Sequence, residues 1–276
     1  MKKILAIFEG TKYSDNTSKY AIDMAKRTGS MLVGVFIYDT RFTDYAYTYT
    51  FDQPFIGMAD IERAHKEDFE KIDLNIKLFN SACNEKGVHH KVHLDKGVPI
   101  HEVVRESAFA DIVIIDSHTS LYGFGDVPGH SLKEILADAH CPVLVVPVDY
   151  RPYKKVIICY DGQPSSVYAI KMFAYLFPEL GQMKYLLVSV NEAAGNHVKE
   201  GSNLKELMKQ HFGDTDFLVL KGKPQEELMQ LLNREGDDAI VVMGAYGKSA
   251  FSRLFHQSLS SRIIKETGLP VFITHQ

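Results

Sequence analysis

Lys154-Lys155-Val156-Ile157-Ile158-Cys159-Tyr160-Asp161-Gly162 restates, 152 residues on, Lys2-Lys3-Ile4-Leu5-Ala6-Ile7-Phe8-Glu9-Gly10. In both copies an apolar run stops at a carboxylate, a glycine follows, and a serine (Ser14 or Ser166) stands five residues past the carboxylate. Three further landmarks recur in the same order. Lys96-Gly97-Val98-Pro99 answers Lys221-Gly222-Lys223-Pro224, Asp111-Ile112-Val113-Ile114-Ile115 answers Asp238-Ala239-Ile240-Val241-Val242, and Cys141-Pro142-Val143-Leu144-Val145 answers Leu269-Pro270-Val271-Phe272-Ile273. Such ordered recurrence indicates a duplicated domain.

Length agrees, since 276 residues suit two units of roughly 100 to 200 residues, each large enough to bury its own core. Prolines interrupt the pattern near 148–153, which sets the expected domains at 1–149 and 150–276. The offset between copies falls from 152 residues at the first landmark to 125 at the second, so the first copy carries 27 extra residues within 39–95. An aromatic-rich insertion at about 39–60 is expected to account for much of this excess.

Within each copy, short and nearly continuous apolar runs alternate with helical periodicity. In the second copy the runs are 156–160, 185–190, 217–220, 239–243 and 270–274. Between them lie sets such as Leu204, Leu207, Met208 and His211, or Leu228, Leu231 and Leu232, at helical spacing. Runs apolar at every position fit strands covered on both faces, and intervening helices supply the crossovers that parallel strands require. The expected fold is α/β, with two doubly wound parallel-sheet domains. Ligands in such sheets bind beyond the carboxyl ends of the strands, where the strand order reverses.

Two loops of the second copy lie at such ends. Tyr160-Asp161-Gly162-Gln163-Pro164-Ser165-Ser166 stops a strand at a carboxylate and turns into a helix, with Ser165 or Ser166 as the expected N-cap. Met243-Gly244-Ala245-Tyr246-Gly247 is followed nine residues later by Gln257-Ser258 at a helix start. Glycines there let backbone amides approach an anion, and a helix start adds the positive end of its dipole. Asp161 would then hold a ribose or a metal-bound water. The plainer alternatives stay open: Gly244 and Gly247 can simply turn a strand into a loop, and Asp161-Gly162 can be an Asx turn.

This pair of loops resembles the universal stress protein family, across essentially the whole chain, as a tandem two-domain member. The family pattern has an early strand ending in Asp-Gly-Ser and a late Gly-x-x-Gly, nine residues, Gly-Ser/Thr motif that wraps ATP phosphates in its nucleotide-binding members. The resemblance implies a Rossmann-like, adenine nucleotide alpha hydrolase-like fold, with the halves related by a pseudo-twofold and the terminal strands meeting across it as an intramolecular pseudo-dimer. It also implies a cytoplasmic stress-response module that binds ATP or a related adenine nucleotide, with or without Mg. Asp161, Gly244, Gly247 and Ser258 occupy matching positions, while Gln257 replaces the third glycine and either obstructs the phosphate path or substitutes a hydrogen bond. In the first copy Glu9 replaces the aspartate, Ser117 and Ser120 replace glycines, and His130-Ser131 stands where Gly-Ser would be. That copy reads as degenerate.

Composition narrows the partners. A formal charge of −4 without basic clusters gives no nucleic-acid surface. No apolar run reaches the roughly 18 to 20 residues of a membrane helix. Cys83, Cys141 and Cys159 form no close pair and read as buried thiols. His89, His90 and His93 could suggest a metal, but strand alternation splits them between two faces. Phe42, Tyr45, Tyr47, Tyr49, Phe51 and Phe55 form either a loop packed on its own domain or an arm for a protein partner, a second copy of the chain included. Ile61, Phe69, Ile72, Ile76, Phe79 and Cys83 read as the inner face of a helix. No nucleophile elbow, complete P-loop or paired acid emerges, which leaves slow ATP hydrolysis as the most that could be expected. The competing readings are a ligand-free interaction module and a weak ATPase.

Overall fold

The computed structural model describes residues 2–41, 58–119, 130–191, 198–235, 238–244 and 263–274. The aromatic residues 42–55 lie outside them. The chain divides into two units, Met1–Cys141 and Pro142–Gln276.

Unit 1 runs β1 (Lys3–Glu9), α1 (Asp15–Thr28), β2 (Met31–Asp39), α2 (Met58–Lys86), β3 (His90–Gly97), α3 (Pro99–Ser107), β4 (Ile112–Asp116) and α4 (His130–Asp138). Its strands lie in the order β3-β2-β1-β4, and every pair is parallel. The apolar runs of β1, β2 and β4 are buried because helices cover both faces, whereas β3 is half-buried and carries Lys91, Asp95 and Lys96. Charge on an outer strand discourages further pairing. Phe8 stacks on Phe36 at 4.8 Å, and Phe79 of α2 meets both rings edge-on. Burying each such side chain is worth about 1.5 to 3 kcal/mol. On α2, Ile61, Ile72, Phe79 and Cys83 are buried, the inner face expected from spacing.

The second unit opens with β5 (Val143–Val146) and continues with β6 (Lys155–Cys159), α5 (Pro164–Leu176), β7 (Lys184–Asn191), α6 (Gly201–Phe212), β8 (Thr215–Lys221), α7 (Pro224–Glu235), β9 (Ala239–Gly244) and β10 (Val271–Thr274). Its order is β5-β10-β9-β6-β7-β8. All pairs are parallel except β5 with β10, which run antiparallel in the register Val145 opposite Val271 and Val143 opposite Ile273. The two terminal strands therefore meet. The division between the units falls before β5, eight residues ahead of the boundary expected after residue 149. Phe173, Phe177 and Phe272 form the aromatic centre of this unit.

Most of the extra length in the first copy is helix. Helix α2 has 29 residues, and its counterpart α6 has 12. Among the described residues no helix is long and apolar enough to cross a membrane.

Candidate functional site

In unit 2 the chain leaves β6 through α5 toward β7, while β9 pairs on the other side of β6. The carboxyl ends of β6 and β9 thus frame the reversal of strand order. Asp161 sits just past β6, and its Oδ1 accepts from Gln163 N at 2.9 Å, closing an Asx turn through Gly162 at φ +80°. A side chain at Gly162 would be strained at that φ and would also meet the stem of Lys199. The N-cap of α5 is Gln163, with Pro164 in the first turn. Neither Ser165 nor Ser166 caps it; Ser166 Oγ instead donates back to Gln163 O at 2.8 Å. Proline explains the earlier start, because its fixed φ suits the first helical position and its missing N–H needs no partner there.

Gly244 ends β9 against this helix start. A Cβ there would lie 2.5 Å from Ser165 O, so close strand–helix packing already requires glycine. Beside Asp161 opens a pocket of about 380 Å³ lined by Tyr160, Gly162, Gln163, Val167, Tyr168, Lys171, Glu200, Leu204 and Leu207, among others. Tyr160 OH donates to Lys199 O at 3.0 Å, which ties the segment before α6 to the end of β6. Burial, then the nearby charges of Asp161 and Glu200, push the Tyr160 phenol above its ordinary pKa. Glu200 adopts a left-handed φ of 51°, uncommon for a residue with a Cβ. Of the sequence-derived site, the structure places Asp161 and Gly244 at one switch point. Gly247, Gln257 and Ser258 lie outside the described residues.

Unit 1 has the same frame with different contents. Ser14 caps α1, accepting from Thr17 N at 3.2 Å, and its hydroxyl donates to Asp116 Oδ2 at 2.8 Å. Asp116 Oδ1 accepts from His118 N at 2.7 Å. Glu9 Oε2 pairs with Lys12 Nζ at 3.2 Å. These groups, with Phe8 and Tyr13, line a pocket of about 280 Å³ at the ends of β1 and β4. Asp116 was not legible as a site residue, although it ends the apolar run 112–115 as Asp161 ends 156–160. At its counterpart in unit 2 stands Met243. Ser117 is half-buried and bonds the His118 ring at 2.9 Å; Ser120 lies outside the described residues, and the side chains of His130 and Ser131 are likewise undescribed.

The remaining sequence candidates have structural partners. His90 contacts Val88 O and Asn80 Oδ1, and His93 contacts Glu106 Oε2 at 3.1 Å. Among the described residues no group of three metal-ligating side chains converges. Burial pushes the thiols of Cys83, Cys141 and Cys159 up to about 12, far from a reactive thiolate.

Comparison with known proteins agrees with this architecture. Residues 1–147 match the model of the universal stress protein family. The universal stress protein Slr1230 of Synechocystis sp. is 21% identical over 287 aligned residues, covering 98% of this chain and 99% of that protein. The universal stress protein MJ0577 of Methanocaldococcus jannaschii is 27% identical over 124 residues, covering 44% of this chain and 76% of its own length. A universal stress protein crystal structure from Archaeoglobus fulgidus superposes with a TM-score of 0.71 at 15% identity, covering 99% of this chain and 98% of that one. That likeness concerns the fold.

Proposed function

Since the chain belongs to the universal stress protein family, we propose that it is a cytoplasmic binding and regulatory module whose second unit holds an adenine nucleotide, ATP or a relative. The pocket of about 380 Å³ against the end of β6 carries this reading, because it adjoins the strand end bearing Asp161. Its volume suits a small molecule, and Val167, Leu204 and Leu207 offer an apolar wall for a planar base beside Tyr160 and Tyr168. Asp161 would take a ribose hydroxyl, and the phosphates would run toward the end of β9 and the segment containing Gly247, Gln257 and Ser258. Mg would accompany the phosphates if the nucleotide is bound as its metal complex.

One observation favours the ligand-free alternative. Asp161 already closes a turn, and Gly244 is already required by packing on Ser165, so both residues have structural work without a ligand. Calorimetric titration of the full chain with ATP separates the readings. The nucleotide reading expects one site per chain, with affinity lowered about tenfold to a hundredfold by Asp161→Ala, the loss of one charge-assisted hydrogen bond. Glu9→Ala should leave it unchanged. Absence of binding at millimolar ATP would establish the ligand-free module instead.

A further inference from the structure

We propose that the pocket at the ends of β1 and β4 is a second binding site of opposite chemistry, one that takes a small organic cation, a primary alkylammonium, instead of a phosphate. The cavity of about 280 Å³ stands at the switch point of unit 1, where a doubly wound sheet presents its ligands. Its anion position is already filled from within the chain. The carboxylate of Asp116, only 10% exposed, reaches the amino end of α1 through the cap hydroxyl of Ser14. An incoming phosphate would meet this fixed negative charge at the helix start that should have received it.

The same lining suits an ammonium on three counts. Ser14 Oγ donates to one Asp116 oxygen and His118 N to the other, and a carboxylate has about four lone-pair sites, so accepting capacity remains. An ammonium brings three donors and no acceptor, the complement of that arrangement. Tyr13, whose ring stacks on buried Phe8 at 5.4 Å and 12°, lines the pocket and adds aromatic surface of the kind that attracts organic cations. Glu9 supplies a second carboxylate, and its pairing with the Lys12 ammonium shows the contact it favours. Lys12 is 72% exposed, so a bound amine can displace it at little cost. Asp15 also lines the cavity but is paired with Lys19 at 2.5 Å. Unit 2 has Met243 and Val167 where unit 1 has Asp116 and Asp15, and cannot offer the same charge.

The inference does not rest on nucleotide binding by unit 2. Its test is calorimetry on the full chain at low ionic strength with 1,4-diaminobutane, and with 1,4-butanediol and inorganic phosphate as uncharged and anionic probes. The diamine should bind at one site per chain, with affinity lowered about tenfold or more by Asp116→Asn, which preserves shape but removes the charge. Asp161→Ala should not change it, and neither other probe should bind there. Should Asp116→Asn lose its fold by circular dichroism, Glu9→Gln reads the same loss from the other carboxylate. Absence of diamine binding at millimolar concentration, equal binding of the diol, or affinity indifferent to both carboxylate changes would overturn the proposal.

Discussion

At the end of β1, Ser14 caps α1 and holds the carboxylate of Asp116; at the end of β6, Pro164 starts α5 and Ser166 turns back onto its own helix. The frames are alike, each a parallel strand pair at which strand order reverses. What differs is who occupies the helix start. Unit 1 brings its own anion there, while unit 2 brings Gly244, whose missing Cβ lets β9 touch the first turn of α5. After duplication a scaffold can keep its strands and change its ligand chemistry through two or three residues at the strand ends. The difference also warns against equating a glycine with a phosphate site, because packing alone explains Gly244.

The largest effect should come from forcing a side chain into the second frame. Gly244→Val should destabilise unit 2 by about 1 to 3 kcal/mol, the usual cost of overpacking. At the matching position of unit 1 a Cβ is already present, and Ser117→Ala should stay within about 0.5 kcal/mol. Urea unfolding of the two variants measures both. Equal costs would erase the proposed difference in strand–helix packing.

Next in size is the cap. Ser14→Ala removes the acceptor for Thr17 N and a donor to nearly buried Asp116, and should cost about 1 to 2 kcal/mol. Ser166→Ala removes only a bond to Gln163 O within the first turn and should cost well under half as much. Similar losses in thermal unfolding would mean that Ser166 has a capping role the geometry does not give it.

Tyr160→Phe sharpens the comparison further, since Phe8 is its counterpart in unit 1. Removing the hydroxyl that holds Lys199 O should cost about 0.5 to 1.5 kcal/mol, with faster amide exchange confined to residues 198–203 if the tie is local. Unchanged exchange there would show that the tie is dispensable.

The smallest expected effect depends on pH. Asp95 on β3 is held above the usual carboxylate range by burial and by the nearby charge of Glu106, whereas Leu220 occupies its counterpart position in unit 2. A raised folded pKa means that the fold favours the protonated carboxyl. Its stabilising contribution is present at low pH and is lost as pH rises through the folded value. Asp95→Asn should therefore be neutral or slightly stabilising at pH 7, within about 0.5 kcal/mol. Its advantage should shrink as pH falls toward the ordinary carboxylate range. An advantage that grows on acidification would contradict this account. The ion pair with Arg105 should not dominate, because that guanidinium is 57% exposed.

Much of the fold could be read from period and repetition. Continuous apolar runs such as Ile4 to Phe8 and Val156 to Tyr160 allow little besides covered strands, and the spacing of Ile72, Phe79 and Cys83 is that of a helix face. The pairing of Val143 to Val146 with β10 is a long-range choice that no local pattern encodes, and only the family resemblance implied that the terminal strands meet. How much of the extra length is helix is likewise revealed only by the 29-residue α2. At the site, Asp161 and Gly244 could be found because they stand in motifs. Asp116 could not, because its role depends on Ser14 reaching it across 102 positions. Pro164 misled the cap assignment, since the serines after it suit a cap by type while proline had already begun the helix.

The central claim is that one frame admits a nucleotide and the other does not. A crystal structure of the full chain grown with ATP tests it directly. The account predicts nucleotide against Tyr160, Asp161 and the end of β9, with none at Glu9 and Asp116. Nucleotide phosphates seated at the amino end of α1 beside Asp116 would contradict it.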